Sequence, residues 1–179
     1  MQQPTRVPPV CFHIRHFAAY PNGLQLFSIQ RDVDPISFAA DFFARMKKLA
    51  AADPVIQAQL KLFLINIDRI DHRNRSLFDH NCLRPEEKAA ALPSKDRYLP
   101  SLGLAPPIAL RLYCFPAGPR TLILFNGDVK THDDPEQCPR VRPHFLLAKR
   151  LGRILERECP DWELTADNRL PTPLSFDFL

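Results

Sequence analysis

The chain has 179 residues, 45% hydrophobic and 25% charged, with 24 Lys and Arg against 20 Asp and Glu for a net charge of +4. These values suit a single globular domain with a full core, and no apolar run approaches the length of a membrane span. The mild positive excess permits an anionic partner without demanding one. The 19 prolines against 5 glycines predict stiff connections. The five cysteines are scattered, with no Cys-x-x-Cys pair, which predicts a reducing compartment. With no signal peptide in view, the expected location is the cytoplasm.

In chain order, residues 1–9 read as a proline-rich tail and the domain as 10–158. Val10 to Phe17 and Leu24 to Gln30 flank the turn sequence Tyr20-Pro21-Asn22-Gly23, which predicts a β-hairpin. Asp34-Pro35 and Asp53-Pro54 each predict a helix start, with Asp as N-cap and Pro at the first helical position. The stripe of the first helix is Phe38, Phe42, Phe43, Met46 and Leu49; that of the second is Ile56, Leu60, Phe63, Leu64, Ile67 and Ile70. Only Ala50–Ala52 separates them, so an antiparallel αα-hairpin is expected.

Residues 71–107 break the pattern and read as an irregular, proline-rich insertion. Within it, 84–92 reads as a short helix by its proline entry, early acids and alanines. The sheet follows, with strands at 108–115 and 120–126 joined by Pro116-Ala117-Gly118-Pro119. In the first strand Ile108, Leu110, Leu112 and Cys114 share one face, and Ala109, Arg111, Tyr113 and Phe115 the other. The second strand is apolar on both faces, which predicts a central position. Residues 143–158 form an amphipathic helix, with Leu147, Leu151, Ile154 and Leu155 inward and Lys149, Arg150, Arg153 and Arg157 outward. Residues 159–179 read as an extension with a short strand and an apolar tail.

No phosphate loop, zinc-protease motif or nucleophile elbow is present. His132, Cys138 and His144, or His72, His80 and Cys82, lack the spacing of known metal sites, so no metal or other cofactor is expected. The constellation with chemistry is Arg111 and Tyr113 on one sheet face, Lys130 at the end of the neighbouring strand, and Arg140, Arg142 and His144 at the helix entry. Cations there would clamp a phosphodiester, Tyr or His would move a proton, and aromatic faces would stack an unpaired base. The bland alternative stays open: Arg111 and Lys130 cap the solvent face of a sheet, with Tyr113 packed beneath a loop.

Two strand segments carry a family likeness. Leu110-Arg111-Leu112-Tyr113, Leu122 through Gly127, Lys130-Thr131 and the helix from Pro143 resemble the RelE/ParE toxin superfamily, in its HigB-type, phage-derived branch. The likeness covers about residues 24–70 and 108–157; the 71–107 insertion and the tail after Cys159 have no counterpart in it. It implies an α+β fold, a small antiparallel sheet packed on an αα-hairpin with a C-terminal helix. It also implies a toxin held by an acidic antitoxin and cleaving messenger RNA on the ribosome without a metal. Carried over residue by residue, the catalytic candidates are Arg111 and Lys130, with Tyr113 and His144 as acid–base groups. Arg140, Arg142, Lys149, Arg150 and Arg153 are the nucleic-acid-binding candidates. The alternative is a non-catalytic protein of the same fold that binds a protein or nucleic acid, and a metal-dependent nuclease is a third reading.

Overall fold

The computed structural model describes residues 10–79, 82–93, 109–158 and 174–176. Helices lie on both faces of a seven-stranded sheet of order β3-β4-β5-β6-β2-β1-β7. The strands are β1 (Val10–Ala19), β2 (Gln25–Arg31), β3 (Arg84–Glu86), β4 (Ala89–Leu92), β5 (Leu110–Gly118), β6 (Thr121–Val129) and β7 (Leu174–Phe176). All neighbours are antiparallel except β2 and β6, which run parallel from Gln25↔Thr121 to Ser28↔Leu124. The α+β class, the N-terminal hairpin, the β5–β6 pair and the central place of β6 all follow the sequence pattern. The expected strand near the C-terminus is β7, beside β1; the tail at 1–9, the rest of the extension at 159–173 and 177–179, and Ile108 and His80 lie outside the described residues.

Helices α1 (Phe38–Ala52) and α2 (Pro54–His72) form the expected αα-hairpin on one face of the sheet. Phe42 and Met46 of α1 and Phe63 and Ile67 of α2 are buried there against Leu110, Leu112 and Cys114 of β5 and Leu122 and Leu124 of β6. The Phe42 and Phe63 rings meet at 5.8 Å. Burying a side chain such as Phe63 contributes about 1.5–3 kcal/mol. Asp53 caps α2 as its sequence predicts, accepting from Val55 N at 2.8 Å. Asp34 does not cap α1; Ser37 does, and Asp34 instead pairs with Arg31 at 2.6 Å. Leu64, expected in the stripe, is 46% exposed because it falls on the outer edge of α2.

The short helix expected at 84–92 is a β-hairpin. Arg84, Pro85 and Glu86 pair with Ala91, Ala90 and Ala89, and Glu87 takes a left-handed φ of 54° in the two-residue turn. Two tertiary demands override the helical propensity of the alanines. Pro85 sits on the sheet edge, where its missing N–H costs no ladder bond. The alanines let helix α3 (Arg142–Glu158) lie close against the hairpin, so close that a methyl group on Gly152 would overlap the Lys88 carbonyl oxygen. The insertion at 71–107 therefore carries part of the sheet. The C-terminal helix closes the second face of the sheet, as expected, over β4, β5 and β6. Phe145, Ala148, Leu151 and Leu155 bury themselves on Ala89, Ala91, Tyr113, Ile123 and Phe125. Among the described residues, no helix is long and apolar enough to cross a membrane.

Candidate functional site

Where the parallel pair β2–β6 ends, the two strands part company. β2 leads to α1 on one face and β6 leads to α3 on the other, the arrangement at which open sheets leave a crevice for ligands. Ser28, fully buried, marks the spot: its hydroxyl donates to Leu124 O (3.2 Å) and accepts from Ala39 N (2.9 Å), seating the start of α1.

A bulge near the end of β6 shapes the next residues, since Leu112 faces Gly127 while Cys114 faces Leu124. Glycine is required at 127 because a methyl group there would overlap the Arg111 carbonyl oxygen. Arg45 of α1 reaches this bulge with three bonds and keeps a fourth within its own helix. Nε donates to Asp41 Oδ2 (3.0 Å) and Nη1 to Asp128 Oδ2 (2.7 Å); Nη2 donates to Asn126 Oδ1 (2.7 Å) and Gly127 O (2.8 Å). Asn126 Nδ2 returns a bond to Asp41 Oδ2 at 3.0 Å. Burial would raise the Asp41 carboxyl, but the bonds from Asn126 and Arg45 outweigh it and hold it below the usual range. Asp128 also lies 3.7 Å from Arg140 Nε, so it joins α1 to the approach of α3.

His144, in the first turn of α3, stands beside this network and is partly exposed. Partial burial, then the positive charge of Arg45, lowers its pKa from 6.5 against the pull of Asp128 and Asp41. Its surroundings therefore favour the neutral ring, the form that can accept a proton.

On the other side of Asp128 lie the remaining candidates. Arg111 pairs with Asp128 across the two strands, is 7% exposed, and donates to Leu110 O at 3.0 Å. Partial burial, then the neighbouring guanidiniums of Arg111 and Arg84, pull Lys130 below its ordinary value. Tyr113, expected among the acid–base groups, lies in the interior. It is fully buried under α3, 5.7 Å from the Phe145 ring, where alternation carries it into the second core. Burial, then Glu86, drives its hydroxyl well above the usual phenol range. That hydroxyl has no hydrogen-bond partner among the described residues.

The basic candidates divide. Arg140 and Arg142 are exposed at the approach to α3. Lys149, Arg150 and Arg153 line a cleft of about 720 Å³ together with Arg31. Its apolar lining is Phe12, Phe38, Pro143, Leu146 and Leu147. Lys149 is held by Glu87 at 2.6 Å and Glu136 at 3.6 Å, and its ammonium lies 5.0 Å above the Phe145 ring.

The structure thus strings one polar band along the end of the sheet: Arg84, Arg111, Lys130, Asp128, Arg140 and His144, with Arg45 and Asp41 behind it. Arg45, Asp41, Asn126, Asp128 and Arg84 are absent from the sequence-based set. An i,i+4 Asp41/Arg45 pair was visible, but it reads as a solvated helix face; Arg84 was hidden by the helical reading of its strand. Among the described residues, no group of three or more His, Cys, Asp or Glu side chains is placed to hold a metal ion. No family model matches the chain, and no curated protein and no solved structure matches it.

Proposed function

We propose that the protein is a RelE-like toxin, a cytoplasmic, ribosome-dependent endoribonuclease whose proton-transferring group is His144. The observation that carries this reading is the partly exposed His144 beside the fixed Arg45–Asp128 scaffold, with Arg140 reaching the same Asp128. In the reaction, His144 takes the proton of a ribose 2′-hydroxyl. The freed oxygen bonds to the adjacent phosphorus, the bond to the 5′-oxygen breaks, and the imidazolium returns its proton to that oxygen. The products are a 2′,3′-cyclic phosphate and a 5′-hydroxyl. Lys130 and Arg140 offset the charge growing on the phosphoryl oxygens, and Arg111 supports Lys130 from behind. An acidic antitoxin is the partner this reading requires.

The test is expression without any neighbouring gene. Growth arrest is expected, with relief by His144→Ala and by Arg111→Ala combined with Lys130→Ala. Normal growth with well-folded wild-type protein would overturn the proposal. A second reading, a non-catalytic protein of the same fold that binds a partner, draws on the burial of Tyr113 and Arg111. It expects normal growth and a co-purifying partner.

A further inference from the structure

The cleft beside the polar band is built unlike the band itself. Leu146 is 41% exposed and Pro143 is exposed, with Phe12 and Phe38 forming the apolar wall behind them. Arg150 and Arg153 stand exposed on its rim. We infer that this cleft seats an unpaired nucleobase of single-stranded RNA, whose backbone passes Arg150 and Arg153 on its way to His144. The inference rests on the RNA reading above and names the form of RNA that it takes.

Three observations support it. Pro143 lines the cleft and His144 is the next residue, so a strand held at His144 places its neighbouring nucleotide at the opening. The cleft is concave with an apolar wall, and its volume of about 720 Å³ has room for a flat heterocycle together with its sugar and phosphate. A duplex keeps its bases stacked inside and offers none for insertion, whereas single strands splay theirs onto apolar and cationic surfaces. Finally, Arg150 and Arg153 are three residues apart on one helix face, an axial rise of about 4.5 Å, so the rim offers a row of cations to a backbone. An acidic amphipathic helix would also meet apolar wall and basic rim, but it leaves the adjoining His144 and Arg140 without a role.

The measurement is fluorescence anisotropy with a labelled, 2′-O-methylated oligoribonucleotide of about ten nucleotides, which cannot be cleaved. Wild type is expected to bind this probe. Leu146→Asp and Arg153→Glu, both at exposed positions, should weaken binding about tenfold, and Arg153→Lys should not. One abasic position in the probe should weaken wild type about tenfold and add nothing to Leu146→Asp. Circular dichroism checks that each variant is folded. Equal affinity for intact and abasic probes, or for the same sequence as a duplex, overturns the inference. So does binding of an acidic Leu/Glu helical peptide that depends on Leu146 while RNA fails to bind. If the probes behave as expected but expression causes no growth arrest, the cleavage reading fails and the base-binding cleft stands.

Discussion

Asp71 does more for the molecule than any residue the sequence pattern singles out. It is 1% exposed and accepts from Asn22 N (3.0 Å), Asn22 Nδ2 (3.0 Å) and Leu24 N (3.0 Å), and from Arg120 at 2.7 Å. One carboxylate at the end of α2 thereby ties the β1–β2 turn to the β5–β6 turn. Burial alone would raise its pKa, but the bonds from Asn22, Leu24 and Arg120 overcome that and lower it. A depressed folded value means the stabilisation is complete above the unfolded carboxylate pKa and is lost as pH falls through the folded one. Asp71→Ala should cost about 3–5 kcal/mol at pH 7, with the gap to wild type closing below about pH 4 in thermal melts. Tyr113→Phe should have the opposite character. It removes a buried hydroxyl with no partner among the described residues, so it should leave stability unchanged or raise it by up to about 1 kcal/mol. It should also leave growth arrest intact if His144 moves the proton; a Tyr113→Phe protein that no longer arrests growth would restore Tyr113 to the reaction. Alternation along β5 could separate Arg111 and Tyr113 from the helix-hairpin core. It could not say that a second helix would cover them, because strand period carries no information about the layer beyond.

At the scale of elements, α3 and the β3–β4 hairpin define each other. Gly152→Ala raises intrinsic helix propensity by about 1 kcal/mol. The added methyl meets the Lys88 carbonyl, however, so a net loss of about 1–3 kcal/mol is expected from urea unfolding. Unchanged stability would mean that the hairpin yields freely. Helices α1, α2 and α3 were legible because their apolar periodicity agrees with their burial; α2 even shows its cap in Asp53-Pro54. The β3–β4 hairpin was not legible, since Arg-Pro-Glu-Glu-Lys-Ala-Ala-Ala satisfies helix-start rules locally. Its strand character comes from the β5 edge and from the close approach of α3, neither of which a short window contains. The site suffered in the same way. His144 and Arg140 were candidates by their place at the helix entry and Lys130 by its place at a strand end, whereas Arg45 and Asp128 meet only when α1 crosses the β6 bulge.

Across the whole molecule, two cores share one sheet, and β6 supplies both: Leu122 and Leu124 to one, Ile123 and Phe125 to the other. The layers should therefore unfold together. Phe63→Ala and Leu151→Ala, in opposite cores, should each destabilise one and the same cooperative transition, by about 3–5 and 2–5 kcal/mol respectively. Two separated transitions would show that the faces are independent units.

The parallel joint between β2 and β6 has a further consequence for how the chain is made. Its partners Ser28 and Leu124 are 96 positions apart. During synthesis the first hairpin and the two helices emerge long before the strand that completes their sheet. Until β6 arrives, one edge of β2 stays open and the apolar side of the αα-hairpin lacks half its cover. Such non-local pairing slows folding and exposes a sticky edge to other chains. A nascent chain halted before Thr121 thus holds every residue of α1 and α2 and still has no complete core to fold onto.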